Sequence, residues 1–413
     1  MVVSGAGPAG TMASAFLSQK GIKHLLIDKA VFPRDKVCGD ALSGKVFSVL
    51  GKLDNQIRNH LANDPDCFIP CEGIVFIAPN GKSIDIPFKP KGKTPDVGPS
   101  GFVSKRLDFD HYIHRFLDSD TCTFLQGHML EDIERTKDFL KLTVRDESSE
   151  KLLITTDLLI ACDGERSIAA KRLAGFKKEL NHYSAGLRTY FKGVTGMHSE
   201  NYIELHFLKD FLPGYLWIFP LPNGLCNVGA GILSSHASRN HINLRDRLMR
   251  AIRNHPDLSS RFTNAEMIGK VEGWGLPLGS KRRRLSGDNF LLTGDAASLI
   301  DPFTGEGISN AMYSGMAAAE IAVEAISNRN FSENQLKKYD DRIFNRLGNE
   351  LKLSRTMQHL CNYPFLFNMV VNKASRNKEL RETISCMFDD LDIRSKLKSP
   401  MFYFKLAFGD KVK

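Results

Sequence analysis

The chain has 413 residues, 42% hydrophobic and 25% charged, a composition typical of a soluble globular protein and enough length for two or three compact units. No stretch approaches the roughly 18 consecutive apolar residues of a membrane helix, and no signal peptide is expected, because the start MVVSGAGPAG has no basic region. A net charge of +9 suits an anionic substrate or a membrane surface, whereas nucleic acid is excluded because no basic run is interleaved with aromatics or set in a recognisable module.

The first element, VVSGAGPAG, reads as a short strand running into Gly5-Ala6-Gly7-Pro8-Ala9-Gly10, a G-x-G-x-x-G turn. A helical stretch follows and is closed by Gly21. A second strand, HLLID, ends in Asp28. Glycines allow a tight turn and close approach of a pyrophosphate, the helix start offers free N–H groups, and an acid at the next strand end takes ribose hydroxyls. This motif alone does not separate NAD from FAD. Next comes FPRDKVCGDAL, with Lys36, Cys38, Gly39 and Asp40 in five positions. Cys67 and Cys71 flank FIP without a second pair at metal spacing, so no metal site is expected and the eight cysteines are expected as free thiols.

FVSKRLDFDHYI then places Arg106 ahead of Phe109 and Asp110 at a helix start. LLIACDGERSIAAKRLAG runs from a buried strand into Asp163-Gly164, Arg166 and Ser167, then a helix. The middle of the chain carries strand-like runs broken by Gly and Pro, such as YIELHFL and CNVGAGIL. In LPGYLWIFPLP, alternation gives Tyr215, Trp217 and Phe219 one face of a strand, either a sheet core or an apolar wall for a ligand. The run KRRR, residues 281–284, is a solvated face or a phosphate site. DNFLLTGDAASLIDPFTGEGISNAM ends a strand at Gly294-Asp295, turns through Asp301, Gly305 and Gly307, and enters a helix near Ile308. An aspartate there can hold ribityl hydroxyls, and the helix start can stabilise charge on a flavin pyrimidine edge.

Together, residues 5–10, Asp163-Gly164 and Gly294-Asp295, in this order and spacing, resemble the FAD-dependent oxidoreductases of the para-hydroxybenzoate hydroxylase fold over about residues 1–330. FPRDKVCGDAL resembles the K-x-C-G-x-x-L element of geranylgeranyl reductases, and Tyr215, Trp217, Phe219 and Pro220 match their P-x-x-Y-x-W-x-F-P element. Two positions depart: Pro213 stands one place closer to the tyrosine, and Asp40 stands where many members carry glycine. The resemblance implies an α/β protein with a Rossmann-like FAD-binding domain, an inserted antiparallel-sheet substrate domain and a helical C-terminal segment. The expected boundaries are 1–70, 101–180 and 270–330 for FAD; 71–100 and 181–269 for substrate; and 331–413 for the helical segment.

It further implies that FAD is held by Gly5, Gly7, Pro8, Ala9, Gly10, Asp28 and Lys29, by Lys36, Cys38, Gly39 and Arg106, and by Asp163, Gly164, Gly294, Asp295, Gly305, Gly307 and Ile308. Arg106 matches the arginine that packs by the flavin nucleotide. Tyr215, Trp217, Phe219 and Pro220 would line an isoprenoid-like substrate. Cys38 would donate a proton, tune the flavin or fill space. The leading activity is reduction of carbon–carbon double bonds in an isoprenoid lipid or quinone side chain. NADPH or another reductant would bind transiently, because no second G-x-G-x-x-G unit follows. Two alternatives stand beside it. One is a monooxygenase or halogenase on the same fold, halogenases carrying W-x-W-x-I-P where this chain has Y-L-W-I-F-P. The other is an electron-transfer flavoprotein serving a protein partner. The expected location is the cytoplasm, and the basic tail, with apolar patches FLFNMVV and FYFKLAF, either packs on the FAD domain or touches a membrane surface.

Overall fold

The computed structural model describes residues 1–88 and 98–377. The expected helices beyond residue 377, the FYFKLAF patch and residues 89–97 lie outside the described residues. The fold is a mixed α/β one, and the chain divides into two compact units interleaved in sequence: residues 1–36, 106–184 and 275–354, and residues 37–105, 185–274 and 355–413.

The first unit is built on a six-stranded sheet in the order Ser286–Gly287, Phe290–Leu292, Leu159–Ala161, Val2–Ser4, His24–Ile27, Cys122–Leu125. All neighbours are parallel except the first pair. The central strands Phe290–Leu292, Leu159–Ala161 and Val2–Ser4 are buried throughout, as expected where both faces are covered. Ser4 lies opposite Ile27 and Ala161, and Ala161 opposite Leu292, so four strands end level at one edge. Helix Pro8–Ser18 packs so tightly on helix Ile308–Ser327 that a Cβ on Gly315 would fall 2.0 Å from the Ala9 carbonyl oxygen. Three antiparallel strands, Met129–Arg135, Leu140–Arg145 and Lys151–Thr156, form a second sheet.

The second unit is built on a seven-stranded sheet in the order Glu266–Pro277, Tyr183–Lys192, Leu225–Leu233, Tyr215–Leu221, Ile203–His206, Gly73–Ile77, Ser83–Pro87. Strand Tyr215–Leu221 is antiparallel to both neighbours, while Ile203–His206 runs parallel to Gly73–Ile77. Helix Leu244–Asn254 covers one face. Asn243 caps it by accepting from the Asp246 N–H at 3.2 Å, and Leu244, Leu248 and Ile252, four apart, pack in one core with Leu216, Ile218, Val228 and Ala230. Each such side chain stabilises by roughly 1.5–3 kcal/mol.

The units do not follow the boundaries drawn from sequence. Ala41–Leu42 and Ile69–Cys71 both pair antiparallel with Gly101–Val103, which groups residues 37–105 with the sheet unit rather than with the nucleotide-binding strands. Residues 331–354 belong to the first unit: Tyr339 donates to the Leu292 carbonyl at 2.7 Å and Asp340 accepts from the Leu285 N–H at 2.8 Å.

Candidate functional site

In the first unit, the level strand ends deliver Gly5, Asp28, Asp163 and Gly294 to the carboxyl edge of one parallel sheet, where open α/β sheets bind ligands. Gly5, at φ 94°, abuts the strand before Asp163: a Cβ there would meet the Cys162 carbonyl oxygen at 2.3 Å. Gly294 lies against the starts of both long helices, where a Cβ would meet those of Ala311 at 3.1 Å and Ala9 at 3.4 Å. The three motifs therefore meet. Helices Pro8–Ser18 and Ile308–Ser327 each begin at a glycine, Gly7 and Gly307, with no side-chain cap and no acid in the first turn. Among the described residues, no capping side chain competes for their first N–H groups.

Several braces had no local sign in the sequence. The Ala6 peptide is pinned on both sides: its N–H donates to Asp28 at 2.6 Å, and its carbonyl accepts from Thr11 at 3.0 Å and pairs with the His114 ring nitrogen Nε2 at 2.9 Å. Burial holds the His114 ring below its ordinary pKa. Asp28 also accepts from the Ala30 N–H at 2.8 Å, so it braces the loop, and each carboxylate oxygen keeps a lone pair for a ribose. Arg34 lies over the loop, its Nη2 being 3.6 Å from where a Gly7 Cβ would sit. Arg34 shares the buried Asp110 carboxylate with Arg106, which binds it through Nε and Nη2 at 2.7 Å each. Burial pushes Asp110 up, but the two guanidinium groups outweigh it and hold the carboxyl below its usual value. Lys29 is exposed and makes no described contact.

Asp163 caps the following helix by accepting from the Ile168 N–H at 2.8 Å, while burial raises its pKa. Lys36 reaches Asp295 at 3.4 Å. Asp301 orders the turn before Ile308: it accepts from the Phe303 and Thr304 N–H groups and from the Ser354 hydroxyl at 2.5 Å, letting Gly305 take φ 72°. The 281–284 run is not an open phosphate site. Lys281 and Arg283 pair with Glu179, Arg284 with Glu333, and Arg282 lies over the Phe344 ring.

These residues fit the dinucleotide part of FAD. Two uncapped helix starts converge beside a glycine turn, Gly7 leaves open space next to a guanidinium, and the Ser4 hydroxyl and Asp163 Oδ1 are buried without a hydrogen-bond partner among the described residues.

In the second unit, Tyr215, Trp217 and Phe219 form a tilted aromatic row, ring centroids 6.1 and 6.3 Å apart. Trp217 lies over Gly229 of the adjacent strand, where a Cβ would come within 2.2 Å of the indole. Phe219 rests on Gly39, where a Cβ would come within 2.9 Å of the ring. Pro220 is buried and by strand alternation falls on the opposite face from the row; Tyr215 is partly exposed. Phe207 extends the face to Phe76 and to Phe367 of helix Pro364–Ala374, at 5.8 and 4.6 Å. Cys38 is partly exposed, and its carbonyl accepts from Asn227 at 2.7 Å. Gly39→Ala is expected to displace the Phe219 ring and cost about 1–3 kcal/mol; a Tm equal to the parent's in thermal unfolding would contradict that contact. Among the described residues, no group of three or more His, Cys, Asp and Glu is placed to hold a metal, and no helix is long and apolar enough to cross a membrane.

A family model described as an FAD binding domain matches residues 1–53 and 108–343. A digeranylgeranylglycerophospholipid reductase of Methanococcus vannielii is 30% identical over 366 residues, 87% of each chain. A menaquinone reductase of Mycobacterium tuberculosis is 28% identical over 386 residues, 88% of this chain and 84% of that one. Among solved structures, a geranylgeranyl bacteriochlorophyll reductase-like protein from Thermoplasma acidophilum aligns with a TM-score of 0.79 at 23% identity, over 96% of this chain and 98% of its own. A flavin-dependent brominase aligns with a TM-score of 0.76 at 21% identity, over 98% of each. At these identities the two structures share the fold.

Proposed function

We propose that this chain, which belongs to the geranylgeranyl-reductase-like family of FAD-dependent oxidoreductases, reduces carbon–carbon double bonds in the isoprenoid chain of a lipid or quinone. The observation that carries the reading is the aromatic row Tyr215, Trp217, Phe219, seated on glycines and continued by Phe207, an apolar surface suited to a polyprenyl chain. Relatives named as reductases of a geranylgeranyl lipid and of menaquinone support the same class. When bound and reduced, FAD supplies the hydride. Saturating the bond also needs a proton on the second carbon, and we assign its donation to the Cys38 thiol, an S–H group being able to serve as a general acid. The electron donor is NADPH or another two-electron reductant that binds transiently.

Gly7, Ala9 and Gly10 would hold the pyrophosphate, with Arg34 supplying charge. Asp28 would take the adenosine ribose and Asp295 the ribityl chain, and the start of helix Ile308–Ser327 would face the pyrimidine edge. Arg106 would act through Asp110. Tyr363 and Phe365, 62% and 78% exposed around the start of helix Pro364–Ala374, are the surface we assign to membrane contact during uptake of a water-insoluble substrate; Phe365→Ala binding lipid vesicles as well as the parent would remove that role.

The test is product mass. Holoprotein given a chemical reductant and either menaquinone or a geranylgeranyl glycerophospholipid should yield product heavier by two hydrogens per reduced bond. Both substrates returned unchanged would overturn the reading. Cys38→Ser should keep FAD and slow product formation about 10²- to 10⁴-fold, the usual contribution of a positioned acid; parental rates at saturating reductant would remove its chemical role.

A further inference from the structure

The buried polar centre of the second unit has no part in the functions assigned so far. Asp40 is fully buried and holds φ 70°, a left-handed conformation disfavoured for every residue but glycine and least so for Asp and Asn. Such a position persists only where the surroundings over-determine it. Here the Asp40 carboxylate accepts from the Tyr190 hydroxyl at 3.0 Å and from Asn227 Nδ2 at 2.7 Å, and its carbonyl accepts from the Ser104 N–H at 2.9 Å. Asn227 is fully buried and uses its whole amide: Nδ2 donates to Asp40 and to the Cys38 carbonyl at 2.7 Å, while Oδ1 accepts from the Trp217 indole at 2.8 Å. Arg188 backs the Tyr190 ring at 4.4 Å and is itself held by Glu272 at 3.1 Å. One carboxylate and one amide thus tie the Cys38-Gly39-Asp40 loop to three neighbouring strands, including the one that carries the aromatic row.

We propose that Asp40 is a positioning residue: with Asn227 and Tyr190 it fixes the Cys38-Gly39 main chain in register with Trp217 and Phe219, and so sets the presentation of the Cys38 thiol for the reaction. The inference rests on the proposed role of Cys38. Buried hydrogen bonds that converge on one short segment restrict its movement. Removing the carboxylate leaves Tyr190 and Asn227 each short of an acceptor, and the loop gains freedom.

The experiment uses Asp40→Gly, Asp40→Asn and Tyr190→Phe holoproteins. The rate at which iodoacetamide alkylates Cys38 is read by peptide mass spectrometry, with the partly exposed Cys67 as internal reference. Cys38 should react about fivefold faster in Tyr190→Phe than in the parent, the consequence of losing one buried hydrogen bond, and at least that much faster in Asp40→Gly, which loses two. Asp40→Asn tolerates the backbone and keeps one acceptor, so it should fall between, and Cys67 should not change. Glycine takes φ 70° without strain, so a parental Cys38 rate in Asp40→Gly would show that the carboxylate holds nothing and would overturn the proposal. In turnover, kcat for the alkene should fall while its KM and the FAD content stay parental; FAD lost in step with kcat would mark general unfolding and also overturn it. Alkylation needs no substrate, so failure of isoprenoid reduction with the alkylation pattern intact would sink only the assigned reaction.

Discussion

Asp110→Ala is expected to destabilise the first unit by about 3–5 kcal/mol, because removing one partner of a buried ionic group leaves the others uncompensated. Arg106 is 3% exposed and would keep its charge in the interior, while Arg34 would lose the anchor that holds it over the glycine turn. The protein should purify with little FAD and unfold at lower urea. Asp110→Asn keeps the shape and isolates the charge, and it should lose most of the same stability. The pH dependence follows from the same pairing. The folded carboxyl lies below its unfolded value of about 4, so its contribution is complete above that value and is lost as pH falls through the folded one. Asp110→Asn should therefore flatten the acid limb of a stability–pH curve. Parental stability and FAD content in Asp110→Ala would show that the arginine pair does not depend on this carboxylate.

Gly10→Ala should be the more damaging of two changes in the same turn. A Cβ at Gly10 would fall 1.7 Å from the Gly5 carbonyl oxygen and 3.3 Å from the Cys162 Cβ, with no flexible side chain to give way. Helix Pro8–Ser18 would have to lift from the sheet, at a cost of about 3 kcal/mol or more. At Gly7 a Cβ would meet only Arg34 Nη2, at 3.6 Å, so Gly7→Ala should fold normally. It should still bind FAD at least about tenfold more weakly, because the methyl would occupy the space in which a pyrophosphate approaches the backbone. Apo-protein melting and FAD titration separate the two. Equal melting points for both variants would refute the close-packing argument, and parental FAD affinity in Gly7→Ala would refute the phosphate assignment.

What the sequence revealed follows from what was local. The turn at residues 5–10, the strand ends at Asp163 and Gly294 and the helix from Ile308 are each encoded within a few residues, and parallel pairing then brings them together. Arg34, His114 and the shared use of Asp110 were missed because their partners lie 76 and 108 residues away and no spacing rule connects them. The 281–284 run had the composition of an anion site, yet its charges are met by Glu179 and Glu333, distant in sequence. The unit boundary near residue 37 was invisible for a related reason: the pairing of Ala41–Leu42 with Gly101–Val103 spans about sixty residues and two very short strands. Asn227 did leave a trace. A lone amide in the apolar strand CNVGAGIL is a buried polar group that must find partners, and it finds Trp217, Cys38 and Asp40.

The central claim is that the reduced flavin of this protein passes hydride to an isoprenoid double bond. The most direct measurement is one half-reaction: holoprotein reduced without oxygen, mixed anaerobically with menaquinone or a geranylgeranyl glycerophospholipid, with the oxidised-flavin absorbance followed and the product weighed by mass spectrometry. The account predicts reoxidation without oxygen, with two hydrogens gained per double bond. A flavin that stays reduced with both substrates, and is reoxidised only when oxygen is admitted, would contradict it and favour oxygen chemistry on the same fold.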